Sequence, residues 1–171
     1  QAYIETILSD GLEKVPVEEV DDIIIAGMGG ELISSIIDRE PRLKDGTKRL
    51  ILQPMTMADK LRRYLYGHGF AIIDENAARD GGHVYTVLCV RYTGEQREID
   101  EITALVGLLP RRSSAAASEY IRVQAEKLRK KGQGLSLTLS GEEEGKRLIA
   151  LADEMDALTG EDETFRKWRN R

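Results

Sequence analysis

The sequence is poor in residues that cross-link a chain or bind transition metals. It has one cysteine and two histidines among 171 residues. The single Cys89 excludes an internal disulfide. Protein zinc sites commonly need three or four Cys, His or acidic ligands. Cys89, His68 and His83 therefore argue against a Cys/His metal site, and we predict no metal.

Long hydrophobic runs and an excess of positive charge are also absent from the sequence. No apolar run approaches the roughly 20 residues that a membrane span needs, and no signal peptide is visible. We therefore expect a cytoplasmic protein with no membrane partner. The formal net charge of −5 gives no general attraction to nucleic acid, so an RNA contact would need a local basic patch. With 41% hydrophobic residues, the chain can bury a core.

Residues 21–30 are organised as a strand, a turn and the start of a helix. Three consecutive isoleucines, Ile23 to Ile25, are typical of a strand in a parallel sheet covered on both faces. The next five residues, Ala26 to Gly30, carry almost no side chain, so another group can approach the main chain closely. Since ligands of open α/β sheets bind at the carboxyl ends of strands, this turn is the candidate binding site.

The same alternation of strands and helices continues along the chain. Strands are predicted at residues 4–8, 23–25, 49–54, 70–75 and 83–92. Helices are predicted at residues 31–38 and after Thr56 to Asp59, which resembles a capping box. This alternation predicts an α/β fold with a parallel sheet. The last two strands are too close for a crossover and should form an antiparallel hairpin.

The character of the chain changes after residue 93. Residues 113–131 carry a narrow apolar stripe at helical spacing, and Gly132 and Gly134 are expected to end that helix. A second stripe of the same kind runs over residues 148–158. Two such helices joined by a short connection predict an antiparallel helical hairpin. The predicted domains are therefore residues 1–93 and the helical appendage at residues 94–171.

Several of these motifs, in this order, resemble a known family. The segments are IAGMGG at residues 25–30, LILQP at residues 50–54, the Asp80-Gly81 turn and Tyr85. They resemble the TrmK family of bacterial tRNA (adenine-N1)-methyltransferases. The resemblance implies a Rossmann-like class I S-adenosylmethionine-dependent methyltransferase, with tRNA as partner. It also implies that the first strands and the first glycine-rich turn of the family lie upstream of this sequence, so that the sheet is partial.

The resemblance assigns roles to residues at two places in the sheet. Catalytic roles at the entry of the target adenine fall on Gln53 and Pro54. Binding of S-adenosylmethionine falls on Asp10, Gly11, Ala26, Gly27, Met28 and Gly29. Two of these assignments have structural alternatives, because Asp10 could form an Asx-turn and Gln53 could bond a neighbouring loop.

Contact with tRNA requires cations that face the phosphate backbone. The candidates are basic residues after the residue 49–54 strand and in the appendage, namely Arg62, Arg63, Arg112, Lys127, Lys130 and Lys131. The alternative for the helical residues is a solvated face, in which lysines near a helix C-terminus complement the helix dipole.

Two other functions compete with methyl transfer. One is a non-catalytic RNA- or protein-binding module derived from a Rossmann domain. The other is a dinucleotide-dependent oxidoreductase, which is disfavoured because Gly27 to Gly30 lacks the G-x-G-x-x-G spacing. If the upstream strands are missing, one edge of the residue 23–25 strand is unpaired. We expect residues 3–8 or a partner chain to cover it, and the oligomeric state stays open.

Overall fold

The structure is a computed structural model that describes residues 4–138 and 140–159. The chain divides into two compact units. One unit comprises Gln1–Ile73 with Leu88–Glu98, and the other comprises Asp74–Val87 with Ile99–Arg171. The sequence predicted a boundary at residue 93. The helical unit also includes the outer part of the terminal strand hairpin, residues 74–87.

A four-stranded mixed sheet with the order β1-β2-β4-β3 is the framework of the fold. Its strands are β1 (Asp22–Gly29), β2 (Arg49–Thr56), β3 (Phe70–Asp80) and β4 (His83–Tyr92). The β1 and β2 strands are parallel, whereas β2 and β4 are antiparallel. The two-residue connection between β3 and β4 has positive φ at both Gly81 and Gly82, as expected for a type I′ hairpin turn. The α/β class and the terminal hairpin predicted from the sequence are confirmed.

Two helices follow the parallel strands, α1 (Gly30–Asp38) after β1 and α2 (Ala58–Gly67) after β2. Alternate strand residues are fully or almost fully buried, as the period of two requires for one covered face. These buried strand residues are Ile23, Ile25, Leu50, Leu52, Leu88 and Val90. On the same alternation Ile24 lies on the opposite face of β1 and is largely exposed. The sequence could not show this, because a run of three isoleucines looks the same whether one face or two are covered.

The strand predicted at residues 4–8 is wrong. Residues 4–9 adopt no regular secondary structure, and the side chains of Ile4 and Leu8 are 83% and 92% exposed. Within residues 4–138 and 140–159, β1 pairs only with β2, so these residues do not cover its free edge as expected. High β-propensity alone does not make a strand, and residues 4–9 pair with none of the four described strands.

The helical unit contains α3 (Glu101–Val106), α4 (Ala115–Leu135) and α5 (Glu142–Ala157). Arg129 of α4 contacts Asp153 and Asp156 of α5, while Gly132 of α4 lies close to Gly145 of α5, so the two helices run antiparallel. The predicted hairpin is confirmed, but the predicted end of the first helix is wrong. A Cβ at Gly132 would lie 2.7 Å from the Gly145 carbonyl oxygen. This glycine therefore permits close helix packing inside α4.

A buried carboxylate organises the polar interior of the helical unit. Glu75 of β3 is only 1% exposed. It accepts hydrogen bonds from the Thr86 hydroxyl and, at 2.8 Å, from the Leu108 backbone N–H. Buried polar groups are stable only when their hydrogen bonds are satisfied. This carboxylate therefore ties the strand hairpin of its unit to the segment that precedes α4.

Candidate functional site

The carboxyl ends of β1 and β2 meet at a bulge. The pairing register shifts between Ala26 and Met28, so Gly27 is the extra residue in β1. Gly27 has φ +76°, a conformation that costs a residue with a Cβ about 1–2 kcal/mol. A Cβ placed on Gly27 would meet no atom of the described residues within 4 Å. The main chain here faces open space, as the sequence predicted for the candidate site.

The side chain of Gln53 holds this bulge in place. Its Oε1 accepts a 2.9 Å hydrogen bond from the Gly27 backbone N–H. Its Nε2 lies 3.4 Å from the Pro54 carbonyl oxygen, which is long for a hydrogen bond, and 3.5 Å from the Met55 sulfur, which is a weak acceptor. The amide oxygen keeps a second lone pair, and the two amide hydrogens meet only these weak contacts, which a ligand could displace. Gln53 therefore bonds a neighbouring segment and can still bind the edge of a ligand.

The turn from β1 into α1 is packed tightly against the turn from β2 into α2. A Cβ on Gly30 would lie 2.2 Å from the Met57 carbonyl oxygen. Met57 is the N-cap residue of α2 and has φ +55°, the only positive φ of a non-glycine residue in the part of the chain that the structure describes. No side chain caps this helix, so the predicted capping box at Thr56 to Asp59 is wrong. The two turns fix each other through main-chain contact.

Charged side chains at the starts of α1 and α2 join the same two turns. Glu31 lies in the first turn of α1 and bonds Lys60 of α2 at 2.5 Å. Both side chains are more than half exposed, so this pair contributes little to stability. The hydrogen bond to Glu31 and its negative charge raise the pKa of Lys60 above its ordinary value. The pair therefore joins the two turns without adding a net charge of its own.

Asp10 is not brought together with the glycine turn. Its carboxylate accepts a 3.0 Å hydrogen bond from Arg39, which follows the C-terminal end of α1, whereas Gly27 and Gln53 lie at the N-terminal end of α1. This bond, and then the positive charge of Arg39, lower the pKa of Asp10. A Cβ on neighbouring Gly11, which has φ +57°, would come within 3.3 Å of Ile36 in the same helix. The cofactor-binding roles of Asp10 and Gly11 stay predictions.

The predicted RNA-binding arginines occupy different environments. Arg62 is fully buried in α2, so it offers no surface to a phosphate backbone, and the prediction for this residue is wrong. Arg63, the next residue of α2, is exposed. Arg112 donates a 3.0 Å hydrogen bond to the Glu75 carbonyl oxygen and pairs with Asp74. Arg112 therefore stabilises the helical unit. The sequence alone does not distinguish an arginine that is buried or ion-paired from one that can contact RNA.

Three lysines near the end of α4, here called the lysine cluster, remain exposed: Lys127, Lys130 and Lys131. Lys130 makes one long contact of 3.5 Å with Glu126. Arg129 between them is bound to Asp153 at 2.8 Å and to Asp156 at 2.7 Å, and these acids raise its pKa further. Arg129 thus forms ion pairs in the α4–α5 contact, whereas the lysine cluster faces solvent.

The sequence model of one family, TrmK, described as tRNA (adenine(22)-N(1))-methyltransferase, matches residues 1–160. The chain belongs to the TrmK family. It is 31% identical over 162 residues to the tRNA (adenine(22)-N(1))-methyltransferase of Bacillus subtilis (strain 168). That alignment covers 92% of this chain and 68% of the relative. The family that the sequence motifs resembled is confirmed.

Solved structures of similar proteins show which class of α/β fold the sheet belongs to. A Streptococcus pneumoniae protein in complex with S-adenosyl-L-methionine is 29% identical with a TM-score of 0.68, covering 88% of this chain and 67% of that one. A protein of the NADB-Rossmann superfamily from Streptococcus agalactiae, at 24% identity and a TM-score of 0.64, covers 90% of this chain and 64% of that one. The fold is therefore Rossmann-like. This TrmK chain spans about two thirds of the length of these relatives.

The sequence interpretation missed two residues at this edge of the sheet. Met55 touches Gln53, and Met57 carries the positive φ that closes the turn. Their position directly after the Gln53-Pro54 pair was the available signal. It was missed because methionines at the end of an apolar strand usually belong to a core. Both are instead almost half exposed.

Proposed function

We propose that this TrmK chain carries the adenine-facing part of an S-adenosylmethionine-dependent methyltransferase that modifies N1 of an adenine in tRNA. The observation that carries the proposal is the open bulge at Gly27, held by Gln53 at the carboxyl edge of two parallel strands. The family match over residues 1–160 and a relative that binds S-adenosyl-L-methionine support it.

The residues at the bulge fit the expected cofactor. Ala26, Gly27 and Met28 are exposed, and Gly27 leaves space in which a side chain would otherwise stand. Main chain without side chains allows a small group to approach closely. We assign the wall of the cofactor site to Ala26–Gly29. When bound, S-adenosylmethionine supplies the methyl group for transfer.

The reaction needs little acid–base chemistry from the protein. N1 of adenine has a lone pair in the ring plane, so it attacks the methyl carbon without prior removal of a proton. The work of the chain is to hold the two reactants in line, which can contribute about 7–11 kcal/mol. Gln53 is suited to orient the base because its amide oxygen keeps a lone pair beyond the Gly27 N–H, and a base could displace the weak contacts of its amide nitrogen with Pro54 and Met55.

We propose tRNA as the substrate partner of this chain and, with it, a cytoplasmic location. The lysine cluster is the proposed phosphate contact in the helical unit, and Arg63 is the proposed contact in the sheet unit. Among the described residues no helix is long and apolar enough to span a membrane. We propose no membrane partner for this chain, and no oligomeric state is assigned.

A transfer assay tests the proposal. The chain is incubated with unmodified tRNA transcript and S-adenosylmethionine labelled at its methyl group, and the RNA is digested to nucleosides. We expect the label in 1-methyladenosine. Label in another nucleoside would contradict the assignment to N1. Binding of tRNA without methyl transfer and without S-adenosylmethionine binding would instead support the non-catalytic module.

A further inference from the structure

Three of the four methionines of the chain are gathered at one edge of the sheet. We call Met28, Met55 and Met57 the methionine rim. They are 38%, 47% and 45% exposed, whereas Met155 is fully buried in the core of the helical unit. Large apolar side chains exposed together in this way commonly mark a binding surface.

The methionine rim is continuous with the Gly27–Gln53 site. Met28 follows Gly27 in the bulge and is aligned with Pro54 across the strand pair. Met55 lies two residues after Gln53 on the same strand, and its sulfur is 3.5 Å from the Gln53 amide nitrogen. Met57 closes the next turn, where its carbonyl oxygen contacts Gly30. Met55 shares the strand face of Gln53, whereas Met28, in register with Pro54, starts from the opposite face. A ligand held by Gln53 would therefore lie against Met55 and close to Met28 and Met57, which stand at the same carboxyl edge of the sheet.

The backbone of Met57 is a second unusual feature at the same edge. Its φ of +55° is unfavourable for a residue with a Cβ, and strained residues of this kind cluster at ligand sites. Glycine would adopt this conformation without strain. Replacement of Met57 by glycine would relieve the strain but remove an exposed thioether side chain that does not pack into the core.

We propose that the methionine rim is an apolar platform on which the ring of the target adenine packs while Gln53 holds its edge. The proposal rests on the proposed function and deepens it by naming the residues that position the base. Flexible, polarisable thioethers pack well on aromatic rings and adapt to their position. The surface carries no charge of its own, which suits a neutral nucleobase rather than a phosphate.

Methyl-labelled methionine gives a direct test in the intact chain. With ¹³C in the methionine methyl groups, the four residues give four NMR signals, assigned by single Met→Leu substitutions. Adenosine monophosphate is added in the presence of saturating S-adenosylhomocysteine, so that the cofactor site is already filled. Ring-current shifts are expected for Met28, Met55 and Met57. Met155 is the internal control, and its signal should stay in place. Cytidine monophosphate is the control nucleotide and should move the rim signals much less.

Substitutions of Met55 distinguish a role in binding the base from a role in maintaining the fold. Met55→Gln should weaken adenosine monophosphate binding by about two- to tenfold, whereas Met55→Leu should retain it because it keeps the apolar surface. S-adenosylhomocysteine affinity should be the same in both variants. This difference isolates the base-binding role, because a general loss of structure would weaken both ligands.

The possible results distinguish failure of the rim proposal from failure of the proposed function. If S-adenosylhomocysteine binds but adenosine monophosphate moves no rim signal, or moves all four signals alike, the rim proposal is overturned and the proposed function stands. Rim signals that respond to S-adenosylhomocysteine alone would assign the rim to the cofactor and also overturn it. If S-adenosylhomocysteine does not bind, the proposed function fails, and the rim proposal fails with it.

Discussion

Substitution of Gly30 by alanine should damage the site by forcing apart the two turns that form it. A Cβ on Gly30 would lie 2.2 Å from the Met57 carbonyl oxygen and 2.9 Å from the carbonyl carbon, and both are backbone atoms that cannot move cheaply. Overpacking typically costs about 1–3 kcal/mol. Gly67, also helical and in the same unit, has no described atom within 4 Å of its Cβ position. Gly67→Ala should stabilise by about 0.4–1 kcal/mol, since alanine lowers the entropy of the unfolded chain.

Both variants add one methyl group at the end of a helix in the same unit, so their difference in stability reports mainly on what that group meets. We expect Gly30→Ala to be about 1.4–4 kcal/mol less stable than Gly67→Ala, combining the two ranges above. Urea unfolding followed by circular dichroism measures this difference. Gly30→Ala should also reduce methyl transfer. Equal stability of the two variants would refute the close packing of Gly30 against Met57.

Further predictions concern the helical unit, acid stability and RNA binding. Glu75→Ala should destabilise by about 2 kcal/mol or more, because the Leu108 N–H and a buried threonine hydroxyl lose their acceptor; the exposed control Glu154→Ala should change urea stability by less than about 0.5 kcal/mol. Arg42 lowers the pKa of Glu40 through its hydrogen bonds, so folding stability falls as pH drops from about 4.5 through the lower folded-state pKa. Glu40→Gln should reduce that pH dependence in urea unfolding, and an unchanged slope would contradict the pairing. Replacement of the three lysines of the cluster by glutamine should weaken tRNA binding. It should also make the negative slope of log K against log salt shallower by about 2. An unchanged slope in filter binding at several salt concentrations would exclude the cluster from the RNA contact.

The sequence predicted those parts of the fold that depend on local pattern. Hydrophobic runs and glycine turns identified β1, β2, the β3–β4 hairpin and the two helices after the parallel strands. It failed where the outcome depends on a distant partner. The segment at residues 4–8 has the composition of a strand, but it pairs with none of the described strands. Gly132 is a helix breaker by propensity, yet close packing against Gly145 makes it necessary inside α4.

The candidate site was predicted in outline and not in detail. The bare turn at Gly27 and the amide of Gln53 were both identified, but the hydrogen bond that joins them requires the register of two strands. The burial of Arg62 and the distance of Asp10 from the turn depend on how the helices pack, which no local motif records. The strain at Met57 is likewise invisible in the sequence, because it results from contact between two turns.

The central claim is that the open main chain at Gly27 forms the wall of the cofactor site, and one pair of variants tests it most directly. Gly27 and Gly82 have φ of +76° and +79°, and neither Cβ position has a described atom within 4 Å. Alanine should therefore strain both positions equally, by about 1–2 kcal/mol. Isothermal titration with S-adenosylmethionine should show unchanged affinity for Gly82→Ala and affinity at least about tenfold weaker for Gly27→Ala. Equal affinities in the two variants, or no binding by the unaltered chain, would contradict the account.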